Sequence, residues 1–349
     1  MRDLKYLFAY TIPISVYISI SYQGYFSFTS LIYAYGFIPF IEFFMSGNSN
    51  HESEKRNSSN FKNLFFDLLL YLNLPIVVFL LFYGFLALNH SDLFIYEQIG
   101  IIFSLAILLA TNGINVAHEL GHRSNLFEQT ISKILLMFSL YMHFYIEHNN
   151  GHHKNVGTEL DPATAKFNQN LYSFWISSTI GQYKNAWIYQ LDFLKNNGLG
   201  FYSFKNQMLF FTIFQLLYLF ALFFTWGFSG IIIGTSVAVI SFLMLETINY
   251  IEHYGLSRKK SSSGRYERVQ TQHSWNSEHY IGRIVLYELT RHSDHHYKTS
   301  KKYQFLENKI ESPQLPFGYP TSMIIAMIPS IWFSIMNKQI EKYRLANSL

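Results

Sequence analysis

The chain has 349 residues, half of them hydrophobic, with 34 Phe, 26 Tyr, 5 Trp and no cysteine. Its charged fraction of 14% lies well below the roughly 25% usual for soluble proteins, which points to a membrane protein, and a net charge of +4 is too small to argue for nucleic acid. Without cysteine there are no disulfides, thiolate zinc sites, iron–sulfur centres, cysteine nucleophiles or thiolate-ligated haem, so metal chemistry falls to nitrogen and oxygen ligands and the 14 histidines become the residues to follow.

Six stretches are apolar over about 20 residues, the length that crosses a bilayer core. They are residues 4–22, 26–45, 64–88, 99–117, 208–226 and 230–250. Pro13, Pro39 and Pro75 lie inside three of them, which membrane helices tolerate. The first stretch lacks a small-residue cleavage site and the second follows at once, so it reads as a helix rather than a signal peptide. Residues 46–60, SGNSNHESEKRNSSN, read as a polar linker. The stretch 321–337 is short and Pro-interrupted and reads as an interfacial or re-entrant helix.

Three short loops, 23–25, 89–98 and 227–229, contain no Lys or Arg, so all 26 basic residues fall on the opposite side. Basic residues mark the cytoplasmic side of a membrane protein, which places both termini and every long loop there. The expected fold is all-α: six transmembrane helices and a cytoplasmic helical cap, in one domain over residues 1–349. The polar chemistry then belongs to segments 118–207 and 251–349.

Nine of the 14 histidines fall in four clusters. His118 and His122 stand in HELGH at the end of the fourth span, four residues apart and on one helix face. His148, His152 and His153 stand in EHNNGHH, His253 in NYIEHYG at the end of the sixth span, and His292, His295 and His296 in RHSDHH. Unpaired buried imidazoles are costly and adjacent ones repel once protonated, so such clustering at one membrane face points to metal. Nine nitrogens are too many for one ion and suit two. Imidazole alone leaves the metal open among zinc, copper, iron and nickel. The interleaved acids Glu119, Glu147, Glu252 and Asp294 are either ligands themselves, acceptors that orient the imidazoles, or plain partners of Arg123 and Arg291.

HELGH also fits the HExxH pattern of zinc peptidases, but such a site leaves seven clustered histidines without a role. A metal transporter would place its ligands near the bilayer midplane, whereas these lie at span ends and in polar segments.

The motifs HELGHR (118–123), EHNNGHH (147–153), DPA (161–163), NYIEHYG (249–255), HSWNS (273–277), RHSDHH (291–296) and LPFGYP (315–320) resemble the alkane monooxygenase family of membrane di-iron hydroxylases over about two-thirds of the chain. Membrane desaturases and fatty-acid hydroxylases share the three His boxes; NYIEHYG and HSWNS point to the alkane and xylene hydroxylases. Arg123 stands where Lys is common, and Thr290 where Gln usually precedes RHSDHH.

The resemblance implies two iron ions held by His118, His122, His148, His152, His153, His253, His292, His295 and His296. Around them it implies a supporting shell drawn from Glu119, Glu147, Asp161, Glu252, His273, Asn276 and Asp294, with Trp275 beside them. His51, His90, His143 and His279 are expected to be structural. The implied reaction converts an n-alkane, O2, two electrons and two protons to a 1-alkanol and water. Members of this family draw electrons from rubredoxin, itself reduced by a rubredoxin reductase. A rubredoxin iron needs four cysteines, so the donor here is expected to be a separate protein. Arg258, Lys259, Lys260, Lys298, Lys301 and Lys302 are expected to serve topology first, and some of them to receive that acidic donor.

Overall fold

The computed structural model describes residues 2–45, 60–90 and 92–346. His51 and residues 46–59 of the polar linker lie outside the described residues. Among the described residues all regular structure is helical, with two isolated bridges, Lys260 to Tyr266 and Asn276 to Gln314.

Among the described residues five helices are long and apolar enough to cross a membrane: α1 (Asp3–Tyr22), α2 (Gly24–Met45), α3 (Asn63–Asn89), α4 (Ile95–Gly121) and α8 (Gln207–His253). Between α4 and α8 run α5 (Leu126–Phe138), α6 (residues 144–155) and α7 (Leu171–Asn196). Four shorter helices follow α8, namely α9 (Tyr280–Val285), α10 (His292–Tyr297), α11 (Tyr319–Ala326) and α12 (Pro329–Ala346).

Helix α8 runs for 47 residues, but Gly227 breaks it with φ 63° and ψ −152°, a conformation that glycine adopts without steric cost. The chain folds back there. A Cβ on Gly234 would stand 2.3 Å from Leu222 Cδ1, twelve residues earlier, which a straight helix would hold about 18 Å away. The two arms of α8 are the stretches read from the sequence as 208–226 and 230–250.

Helix α4 is the centre of the bundle, with 72% of its apolar window buried against 22% for α2. At one end, Glu97 ties the turn before α2 to the turn before α4: Gly24 N and Phe94 N both donate to its carboxylate, at 2.5 and 2.7 Å. Within the apolar layer, polar side chains satisfy one another, as hydrocarbon requires. Asn112 donates to Asn73 Oδ1 at 2.8 Å, and Asn73 donates to the Leu69 carbonyl at 2.8 Å. Pro39 follows a π-turn over Tyr33–Phe37, where the wider hydrogen-bond ring displaces the carbonyl that a proline ring would strike.

The stretch 321–337 is not one helix. It divides into α11 and α12 at Pro329, and α12 continues to Ala346. Trp332, Met336 and Ile340, each four residues from the next, are buried in a cluster with Tyr250 and Tyr254 of the α8 end, so α12 packs against the end of α8. Helix α7, 26 residues long, was not evident as an element. Its buried stripe contains Ser178, Gln182 and Gln190, and polar residues there mask the apolar period that marks a buried face.

Gly234→Leu should destabilise the α8 hairpin by about 1–3 kcal/mol, the usual penalty for overpacking. A fall of several degrees in the unfolding temperature of the detergent-solubilised protein is expected, and an unchanged temperature would contradict the close approach of the two arms.

Candidate metal centre

The four histidine clusters meet at the ends of four elements. Helix α4 passes through a π-turn, Leu109–Ile114, before resuming as an α-helix over Asn115–Gly121. His118 and His122 then share a face, their Nε2 atoms 3.4 Å apart. Helix α6 is π-helical from His148 to His152. One π-turn separates His148 from His153, and their Nε2 atoms lie 2.9 Å apart. His153 Nε2 is also 3.2 Å from His122 Nε2. With His295 from α10, these form a five-histidine group, one nitrogen from each lying within 4.8 Å of the others.

The second group is His152, His253, His292 and His296, again with nitrogens within 4.8 Å of one another. His292 and His296, a turn apart on α10, bring their Nε2 atoms to 2.9 Å, and His253 Nε2 lies 3.1 Å from His292 Nε2. The doublets are therefore divided: His153 and His295 serve one group, His152 and His296 the other. The groups touch through the rings of His153 and His296, whose centroids are 4.4 Å apart.

These spacings fit metal ions. A metal–nitrogen bond of about 2.1 Å puts neighbouring ligands of an octahedron at about 3.0 Å and opposite ones at about 4.2 Å. His152 Nε2 and His295 Nε2 are buried without a protein hydrogen-bond partner, a cost of about 1–3 kcal/mol for an orphaned polar atom that a bound ion removes. Burial favours the neutral, ligand-competent form of an imidazole. It pushes His122 down to about 3, helped by the charge of Arg123, and drives His148, His153, His292, His295 and His296 well below the usual range, with neighbouring imidazoles adding to the effect.

The surrounding acids divide by direction. Asp161 Oδ2 accepts from His152 Nδ1 at 2.9 Å and from Thr164 Oγ1 at 2.6 Å, so it fixes the ring from behind. Glu252 Oε1 accepts from Tyr319 Oη at 2.7 Å, and its Oε2 lies 3.2 Å from His292 Nε2. His273 turns its ring to Gln270 N and Glu267, and only its carbonyl approaches His253 Nδ1, at 3.4 Å. Asn276 grips Ser293 from both ends of its amide, at 2.8 Å each, and so anchors the residue after His292. Trp275 Nε1 donates to the Tyr254 carbonyl, next to His253.

Two acids face away from the histidine nitrogens. Glu119 accepts from Arg123 Nη2 at 2.6 Å and from Tyr303 N at 3.1 Å, which removes it as the general base of an HExxH peptidase. Asp294 accepts from Lys301 Nζ at 2.6 Å and from Glu307 N at 2.8 Å. Glu147 is fully buried against Tyr189 and Gly151, and burial together with the Asp161 charge pushes its carboxyl well above the usual range. His143 packs between Tyr141 and Tyr183, and His279 pairs with Ser277, apart from both groups. Of the His90 side chain nothing is described. Thr164 and Tyr319 support the site although sequence reasoning gave neither a role: Thr164 just follows the DPA motif and Tyr319 stands within LPFGYP, and each contacts an acid rather than a histidine, from 3 and 67 residues away.

The fold and site define an integral membrane protein with a histidine-rich metal site. Residues 98–309 match the family model described as fatty acid desaturase. The chain is 31% identical over 335 residues to alkane 1-monooxygenase 2 of Alcanivorax borkumensis, covering 95% of this chain and 88% of that one. It is 34% identical over 312 residues to alkane 1-monooxygenase of Pseudomonas putida, covering 88% and 77%. It is 29% identical over 279 residues to the xylene/toluene monooxygenase hydroxylase component of Pseudomonas putida, covering 78% and 73%. The chain belongs to the alkane 1-monooxygenase family.

The depressed imidazole pKa values carry a sign. Below about pH 6.5 the unfolded histidines take up protons while the buried ones stay neutral, so stability falls as the pH drops from there toward 3. Between pH 7 and pH 5, metal-free protein should lose more unfolding temperature than a His148→Asn, His153→Asn variant, which lacks part of this contribution; an equal change in both would mean that these imidazoles are not buried and neutral in the fold.

Proposed function

We propose that the protein hydroxylates the terminal carbon of n-alkanes, converting R–CH3, O2, two electrons and two protons to R–CH2OH and water. The observation that carries this reading is the pair of histidine groups at the ends of apolar helices, joined to the kinship with alkane 1-monooxygenases. The five-histidine group would hold one iron and the four-histidine group the other. Bound iron supplies the redox chemistry that activates O2 for attack on a strong, nonpolar C–H bond.

The chain's own residues supply position and shielding. His118, His122, His148, His153 and His295 present ring nitrogens to one ion, and His152, His253, His292 and His296 to the other. Asp161 holds the His152 ring in a single tautomer. Burial of the ligands excludes water, which protects a reactive centre from side reactions. An alkane offers no polar handle, so it is held by apolar contact alone, about 0.8 kcal/mol per CH2, and it reaches the site from the bilayer in which it dissolves.

The reading extends to setting and partners. The chain is one hydroxylase domain of the cell inner membrane, crossing it six times, with both termini and the metal face in the cytoplasm; the confinement of Lys and Arg to one side supports this. Electrons arrive from a separate rubredoxin reduced by its own reductase. Lys301 is paired with Asp294 and Lys302 with Asp67 at 2.8 Å, so neither is spare for docking. Lys259 and Lys260 are exposed, and Lys260 lines a cleft with Lys154, Arg258 and Arg265, the better surface for an acidic donor.

His292→Ala and His152→Ala should each abolish the conversion of octane to 1-octanol and reduce iron from about two per chain. Full activity in either variant would sink the assignment. Product analysis with octane, hexadecane and a fatty acyl substrate separates this activity from that of a desaturase or fatty-acid hydroxylase. Reversing charge at Lys259 and Lys260 should raise the KM for rubredoxin and flatten its salt dependence; if neither changes, the donor docks elsewhere.

A further inference from the structure

The two histidine groups differ by one donor, and a carboxylate stands beside the smaller one. Glu252 is 1% exposed. Its Oε2 lies 3.2 Å from His292 Nε2. The same nitrogen meets His296 Nε2 at 2.9 Å and His253 Nε2 at 3.1 Å. A neutral imidazole carries one N–H, which cannot bond three neighbours crowded about its own nitrogen. Neighbouring ligands on one ion stand about 3.0 Å apart when the bonds are about 2.1 Å. The crowding at His292 is therefore that of a coordination shell, and Glu252 Oε2 is part of it.

The other buried acids do not share this placement. Asp161 meets His152 through Nδ1, on the far side of the ring, and its oxygens also serve Thr164 Oγ1 and Ala163 N. Glu119 is paired with Arg123, and Asp294 with Lys301. Glu147 lies against Tyr189 and Gly151. Glu252 meets Tyr319 and His292, neither a fixed cation. A buried carboxylate without a cation is costly, and a divalent ion beside His292 removes that cost.

We propose that Glu252 is the fifth donor to the metal ion of the four-histidine group, binding through Oε2, while Tyr319 holds Oε1 and keeps the carboxylate monodentate. The proposal rests on the reading of the two groups as metal sites. It makes the centre one of five donors and five donors, and gives the second ion an anionic ligand that the first lacks.

The test uses the full chain in detergent, loaded with 57Fe. Unaltered protein should hold about two irons with two distinct Mössbauer signals. Glu252→Gln keeps the size and the Tyr319 contact but loses the anionic oxygen. After dialysis against a chelator that leaves the unaltered protein loaded, it should hold about one iron and lack one signal, whereas Tyr319→Phe should keep both irons. Glu252→Gln with two irons and an unchanged spectrum overturns the proposal while leaving the metal reading intact; unaltered protein that takes up no iron overturns that reading itself. Should Glu252→Gln fail to fold, a structure of the iron-loaded unaltered protein decides the matter. A Glu252 oxygen at about 2.0–2.2 Å from the ion supports ligation, and one beyond about 3 Å overturns it.

Discussion

Neighbouring side chains on a helix diverge by about 100°, so His152 and His153 cannot serve one ion, and neither can His295 and His296. Each doublet must address two sites at once. This divergence sets how the histidine-bearing segments are arranged: α6 and α10 lie between the two groups and each contributes to both. The π-turn at His148–His152 is the local adjustment that lets His148 and His153 converge on one side while His152 turns to the other. The end of α4 then completes one group and the end of α8 the other, so both ligand-bearing apolar helices must stop at the same depth.

Stopping them there requires rigid connections in an apolar setting, and buried carboxylates provide several. Glu246 of α8 accepts from Tyr141, Ser178 and Gln182, joining α8 to α7 and to the turn before α6. Glu42 at the end of α2 accepts from Gly282 N at 2.7 Å, tying the bundle to α9. Asp67 on α3 meets both Arg123 and Lys302. In a low-dielectric interior a satisfied polar link holds its partners strongly and an unsatisfied one is penalised, so each junction favours one arrangement of the helices around the site.

The histidine groups were legible in the sequence because much of their spacing is local: His118 and His122, or His292 and His296, share a face by helix geometry alone. The supporting shell was legible only in part. Glu119 and Asp294 sit beside ligands in sequence yet turn toward Arg123 and Lys301, since adjacency on a helix fixes a different direction rather than a shared one. Asp161, eight residues beyond His153, reaches the back of His152 through a turn that no periodicity encodes. The same limit hid α7, whose buried face carries Gln and Ser, and divided the stretch 321–337, where Pro329 opens a new helix because it has no N–H to continue the old one.

Charge gives the remaining constraint. Nine imidazoles contribute no anion, so with two metal ions bound as proposed their positive charge would be balanced by carboxylates or by ligands from solvent. The acids around the site sort accordingly. Glu119, Glu278, Glu288 and Asp294 are paired with Arg123, Arg283, Arg291 and Lys301 and form an outer ring that is already neutral. Asp161 and Glu252 touch histidines instead of fixed cations, and both stand on the four-histidine side. The two ions would therefore differ in field: one in an uncharged shell of imidazole, the other beside two anions. Anionic surroundings stabilise a higher metal charge, so with both ions bound as proposed the four-histidine position would be the more easily oxidised of the pair. That asymmetry follows from which acids the fold leaves without an Arg or Lys, and not from the histidines themselves.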